Sequence, residues 1–140
     1  CGMALTSHLL NSLGADITAM DIHPVTADLI VSNVELNNTR PIPFVNASWS
    51  DDASDLGEFD LIVGSDVLYE PKHSKTLPTF IDSHAMASSE VIIVDPERGQ
   101  LKDFRDQMSA YGFTCESFRP KYSGRPGMTR YEGVVDRYSR

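Results

Sequence analysis

Phe59-Asp60-Leu61-Ile62-Val63-Gly64-Ser65-Asp66-Val67-Leu68-Tyr69-Glu70 is the stretch that decides how this 140-residue chain folds. It reads as a strand, Phe59 to Gly64, that stops at a small residue and hands over to Asp66 and Tyr69. A continuous apolar run predicts a strand buried on both faces, as in a parallel sheet covered by helices. Ligands bind beyond the carboxyl ends of such strands. Asp66 and Tyr69 therefore stand where a site belongs, with a plain polar strand-to-helix loop as the alternative.

The pattern repeats outward. Val91 to Val94 is a second apolar strand, ending at Asp95-Pro96, and Ile17 to Met20 is a shorter one ending at Asp21. Ile42 to Val45 is a weaker third, followed by an acidic loop from Asp51 to Glu58. Helical spacing fills the gaps. Leu5, Leu9, Leu10 and Leu13 share a face and Gly14 closes it. Pro24 suits the first turn of a helix through about Asn37, with Leu29, Ile30, Val31 and Val34 inward. Leu77, Phe80, Ile81 and His84 form a third stripe, in which Pro78 must lie in the first turn or kink the helix. Leu101, Phe104, Met108 and Tyr111 form a fourth, closed by Gly112. Alternating helix and strand predicts a parallel α/β sheet in a single domain, residues 1–140. The final strands, Phe113 to Phe118 and Tyr131 to Tyr138, are joined by a Gly- and Pro-rich segment without a helical stripe. A parallel pair would need a crossover, so these two should be antiparallel.

Composition narrows the class. The chain is 41% hydrophobic and 23% charged, ordinary for a globular protein. No apolar run approaches the roughly 18 residues that span a bilayer, and no signal-peptide pattern is present, so no membrane partner is expected. Cys1 and Cys115 form no metal or redox spacing, and a reduced cytoplasmic setting is the plain expectation. The net charge of −8 argues against general nucleic-acid binding. Basic residues gather near the end, as Arg119, Lys121, Arg125, Arg130, Arg137 and Arg140 against Glu132 and Asp136. A solvated basic hairpin or a surface for an acidic partner would explain them.

Cys1-Gly2 leads into the first helix, and Asp21 ends the next strand. In dinucleotide-type sites a glycine lets the backbone approach the ligand, and an acid about 20 residues on accepts from both ribose hydroxyls. An aspartate that merely caps the next helix is the rival reading. Other sites fail on spacing. Gly64-Ser65-Asp66 lacks the second glycine of a nucleophile elbow, and Ser123 to Thr129 lacks a P-loop's terminal Gly-Lys-Ser/Thr. His8, His23, His73 and His84 are dispersed without metal-ligand spacing, so no metal is expected.

Taken together, these pieces resemble the class I, seven-stranded S-adenosylmethionine-dependent methyltransferases, and within them the protein-lysine methyltransferase branch. Cys1-Gly2-Met3-Ala4-Leu5-Thr6 is similar to the tail of that family's glycine-rich first motif, with Ala4 where a further glycine is common. The family's preceding strand, acid and first glycine are expected to lie before Cys1. Asp21-Ile22-His23-Pro24 resembles the strand-2 acid motif, and Asn33-Val34-Glu35-Leu36-Asn37-Asn38 the Asn-rich helix end. Trp49 follows the third strand, where the branch has a Trp beside the adenine. Asp66-Val67-Leu68-Tyr69 matches the branch's Asp-x-x-Tyr motif, and Asp95-Pro96-Glu97-Arg98 follows strand 5, where relatives carry an Arg.

The resemblance implies a three-layer, Rossmann-like α/β sandwich, its mostly parallel twisted sheet carrying one antiparallel strand near the C-terminus. It implies S-adenosylmethionine as cofactor, held by Cys1, Gly2, Asp21, Ile22, Trp49, Ser65 and Asp66. It implies methyl transfer to nitrogen, with a protein lysine as first choice and Asp66 and Tyr69 as the catalytic residues. Asp66 would accept a hydrogen bond from the amine, and Tyr69 would offer its ring face to the cation. Arg98 would be structural or substrate-orienting. A small-molecule N-methyltransferase and a non-catalytic cofactor-binding module are the rival readings.

Overall fold

The computed structural model describes residues 1–51, 54–120 and 131–140. Contacts within the chain cluster into two compact units, residues 1–53 and 54–140.

The first unit begins with α1 (Leu5–Ser12), followed by β1 (Ala19–Asp21), α2 (Val25–Asn37) and β2 (Phe44–Asn46). β1 and β2 pair in parallel, with Asp21 opposite Asn46. Pro24 caps α2 at φ −63°, a value its ring fixes in advance. The core is small: Ala4, Ala19, Ile30 and Ile42, with Ile17, Val34 and Phe44 against it. Two expected faces turn out differently. On α2 only Ile30 and Val34 reach this core, while Leu29 and Val31 are exposed. On α1 the stripe Leu5, Leu9 and Leu13 is exposed, and Ser7 and Asn11 are buried instead. Asn11 has a polar reason to be inside. Its Nδ2 donates to the Arg40 carbonyl at 2.7 Å, and Arg40 donates back to the Asn11 carbonyl at 3.0 Å.

The second unit opens with a 3₁₀ turn (Ser54–Leu56) and β3 (Phe59–Ser65). There follow α3 (His73–His84), β4 (Ala85–Asp95), α4 (Leu101–Ala110), β5 (Thr114–Phe118) and β6 (Val134–Ser139). Its sheet runs β3-β4-β6-β5. β3 and β4 are parallel, while β6 is antiparallel to both β4 and β5, so the expected reversal at the end of the chain is present. The predicted burial of β3 on both faces is not. Asp60 and Leu61 are exposed, because β3 is the edge of this sheet and the rest of its apolar run is only half-buried. β4 is the buried strand, with Val91, Ile93 and Asp95 on one side nearly inaccessible.

Pro78 lies neither in the first turn of α3 nor outside it, but in the helix interior. Its missing N–H leaves the Ser74 carbonyl without the usual i+4 donor. Burial of Leu77, Pro78 and Ile81 offsets that loss. Leu101, Phe104 and Met108 of α4 are buried, and Phe104 meets the Tyr138 ring edge-on, centroids 5.7 Å apart. Gly112 stops α4 at φ +85°, a conformation glycine adopts without strain.

Candidate functional site

In the first unit the chemistry gathers at the carboxyl end of β1. Asp21 is its last residue, and both carboxylate oxygens are engaged by backbone. Oδ1 accepts the His23 N–H at 2.9 Å, while Oδ2 accepts the Gly2 N–H at 2.9 Å and the amino group of Cys1. Burial alone would push this carboxyl up. The His23 and Gly2 amides oppose that push and favour the ionised form. Asp21 therefore stays ionised and ties the glycine turn to the strand end.

Gly2 has φ +54° and open space where a side chain would stand, which suits close approach of a ligand to the backbone. Ile22, one residue past the acid, is 66% exposed, an apolar shelf beside a carboxylate. Asn46 Nδ2 donates to the carbonyls of Asp21 and Ile22 at 3.0 and 2.9 Å and fixes the shelf. Trp49 is half-buried on a turn after β2. Cys1, Gly2, Asp21 and Ile22 thus come together. A carboxylate, a bare glycine and an exposed aliphatic fit a ribose, a chain backbone and a flat base.

In the second unit the chemistry lies where β3 and β4 end. Gly64 lets the following loop fold back, since a Cβ there would stand 3.0 Å from Ile93 Cδ1 and 3.1 Å from Val67 Cγ2. The Asp66 N–H donates to the Val94 carbonyl at 2.7 Å, and Leu68, wholly buried, anchors the loop. Ser65 and Asp66 are exposed. Tyr69 points outward, 56% exposed, its ring edge-on to His73 with centroids 4.6 Å apart. His73 is buried, and its Nδ1 lies 3.0 Å from the Val67 carbonyl.

The sequence reading gave Arg98 only a loose role, and the structure gives it a sharp one. Its Nε and one terminal nitrogen donate to the two oxygens of Asp66 at 2.8 and 2.9 Å. That fork outweighs the opposing effect of burial and holds the Asp66 carboxyl below the usual carboxylate range. Asp66 (φ +53°) and Glu97 (φ +64°) both adopt the left-handed conformation, which costs a side-chain-bearing residue roughly 1–3 kcal/mol. Such strain clusters at functional sites.

Asp95 ends β4 fully buried. Its Oδ1 accepts the Arg98 N–H at 2.7 Å, while Oδ2 has no hydrogen-bond partner among the described residues. Burial pushes this carboxyl up. The sequence reading named neither Asp95 nor Tyr131 as a site residue. Lys121, Arg125 and Arg130 of the expected basic hairpin lie outside the described residues. Arg119 is paired, its guanidinium on both oxygens of Glu97 at 2.6 and 2.5 Å.

A family model described as lysine methyltransferase matches residues 1–110. The chain belongs to the lysine methyltransferase family. It is 29% identical over 116 residues to the electron transfer flavoprotein beta subunit lysine methyltransferase of Danio rerio. That match covers 79% of this chain and 43% of the relative, so the chain spans less than half the length of that curated protein.

Among solved structures, precorrin-6y C5,15-methyltransferase from Geobacter metallireducens superposes with a TM-score of 0.76 at 16% identity, covering 99% of this chain and 74% of that one. Magnesium protoporphyrin IX methyltransferase from Synechocystis, with bound SAM, gives 0.74 at 19% identity, covering 100% and 66%. These likenesses establish the α/β methyltransferase fold. S-adenosylmethionine is the cofactor that membership of the family implies, and the residues around Asp21 suit it.

Proposed function

We propose that this chain carries the cofactor- and acceptor-binding residues of an enzyme that methylates a protein lysine. The observation that carries the reading is the Asp66–Tyr69 loop. An ionised acid and an exposed aromatic ring are presented together at the carboxyl end of β3, in a member of the lysine methyltransferase family. Gly2, Asp21 and Ile22 would hold the cofactor. When bound, S-adenosylmethionine supplies a sulfonium methyl group: the N–C bond forms as the S–C bonding pair returns to sulfur.

The residues of the acceptor side have two tasks. Asp66 accepts a hydrogen bond from the acceptor nitrogen and orients its lone pair. Tyr69 offers a ring face that attracts the ammonium before its proton is lost. A lysine must shed that proton to attack, and its ordinary pKa is about 10.4. A displacement of this kind needs little further acid–base work, so positioning and exclusion of water supply most of the rate.

The test uses the intact protein, radiolabelled S-adenosylmethionine and candidate acceptors. The electron transfer flavoprotein beta subunit comes first, because a relative is named for it. Label should enter a lysine of a discrete protein band. Asp66→Ala and Tyr69→Ala should lower turnover by about tenfold or more while affinity for S-adenosylhomocysteine stays within about twofold. Label confined to small molecules points to the small-molecule reading, and cofactor binding without any transfer points to the non-catalytic one.

A further inference from the structure

We propose that Tyr131 is a substrate-binding residue of the acceptor site, presenting its ring to the cationic acceptor side chain beside Asp95 and Asp66. The inference rests on the reading of the site given above and deepens its specificity.

Gly133 fixes the ring. A Cβ at that position would fall 2.1 Å from the Tyr131 hydroxyl oxygen, 2.3 Å from its Cζ and 2.5 Å from the Asp95 carbonyl oxygen. No side chain fits there, so the phenol is seated on the bare backbone of Gly133, against the end of β4. The register agrees, since Val134, the first residue of β6, pairs with Asp95, the last of β4. Tyr131 nevertheless remains 38% exposed, so part of the ring faces outward.

Its surroundings call for a cation. Asp95 is fully buried and its Oδ2 lacks a partner among the described residues, a state that a donor or a positive charge would relieve. The backbone N–H of Asp66 donates to the residue before Asp95. Burial, then the charges of Asp95 and Asp66, push the Tyr131 phenol up, so the ring stays neutral and both acids act on it. Arg98 offsets one of the two carboxylates, through its fork on Asp66, and the other is left over. An aromatic face beside surplus negative charge favours an ammonium over a neutral amine.

The experiment has a catalytic arm and a binding arm. In the first, Tyr131→Ala should raise KM for the protein acceptor about tenfold, the scale of a desolvated cation–π contact, while Tyr131→Phe stays within about threefold of the parent. Affinity for S-adenosylhomocysteine should not change. In the second, the intact protein carries ring-labelled tyrosine and is titrated with butyl-trimethylammonium, followed by NMR. The Tyr131→Phe spectrum identifies the Tyr131 signal. That signal should move saturably with the cation and not with an uncharged alkyl alcohol of the same size.

A Tyr131 signal that ignores the cation overturns the proposal, whether or not Tyr131→Ala folds. Tyr131→Ala with unchanged KM and normal folding overturns it too. A protein that binds the cation at Tyr131 yet methylates no lysine supports this placement and defeats the lysine reading instead.

Discussion

Arg98 grips Asp66 at two points, guanidinium nitrogens to both carboxylate oxygens, across 32 positions of sequence. The pair is half-exposed, 41% and 51%, so it adds little to the stability of the fold. Its effect is on Asp66 itself. With both oxygens held in a plane, the carboxylate keeps one orientation and stays ionised, and each oxygen retains a lone pair for a further donor.

Removing the fork should therefore damage turnover more than folding. Arg98→Lys cannot reproduce a planar two-point contact. We expect methyl transfer to fall by about tenfold in Arg98→Lys and further in Arg98→Ala, with melting temperature nearly unchanged. The sign of the pH effect follows from the direction of the shift. Arg98 lowers the Asp66 pKa, so losing Arg98 raises it, and the acid limb of the rate profile should move to higher pH. Full turnover in Arg98→Ala with an unmoved acid limb would show that Asp66 needs no partner.

Asp21→Asn tests the cofactor side. Asparagine keeps one carbonyl oxygen and sets an NH₂ group against a backbone N–H that now donates to Oδ1 or Oδ2. Loss of a charge-assisted contact should weaken S-adenosylhomocysteine binding by roughly 1–3 kcal/mol in isothermal titration. NAD should not bind either protein. Strong NAD binding without any response to S-adenosylhomocysteine would reverse the assignment of this site.

How much of this was legible beforehand depends on the range of each interaction. The apolar runs of β3 and β4 are local, and each lies inside an observed strand, although β3 runs one residue past Gly64 to Ser65 and β4 starts six residues before Val91, at Ala85. The antiparallel end was legible from a missing helical stripe. Periodicity groups Leu5, Leu9 and Leu13 on one face but does not say whether anything covers that face, and in this unit they are exposed. Asp60 and Leu61 failed for a related reason, because strand burial depends on sheet order, which no single strand reports. Arg98 on Asp66, and Tyr131 beside Asp95, join residues far apart in the chain. For Tyr131 the local hint was the glycine two positions later.

Asp136 gives a stability prediction of ordinary sign. It is fully buried on β6 and accepts from Arg105 at 2.6 and 2.7 Å, Ser117 at 2.6 Å and Tyr138 at 3.0 Å. Burial would raise its pKa, but these donors together, Arg105 foremost, hold it below the usual range. A lowered acid stabilises the fold above its unfolded value of about 3.9, and that stability is lost as pH falls through the folded value. Asp136→Asn leaves a part-exposed Arg105 without its counter-charge and puts an NH₂ group against one of the present donors, and should cost roughly 1–3 kcal/mol at pH 7. Urea unfolding should show the loss shrinking in acid.

Asp95 gives the opposite sign. Burial, with a smaller push from the Asp66 charge, raises its carboxyl, against the hydrogen bonds from the Arg98 and Glu97 amides. A raised acid holds its proton more tightly folded than unfolded. Its contribution therefore favours folding below about pH 3.9 and fades as pH rises through the folded value, leaving a buried, half-satisfied charge at neutral pH. Asp95→Asn keeps the oxygen that accepts the Arg98 N–H and removes the charge. We expect the variant to be more stable than the parent at pH 7, by on the order of 1 kcal/mol, with the gain gone near pH 3.5. Methyl transfer should fall, because the acceptor site loses its unpaired negative charge. Thermal unfolding at the two pH values decides the matter. A variant destabilised equally at both would mean that Asp95 is held by a partner it cannot lose, and that its charge is no burden to the fold.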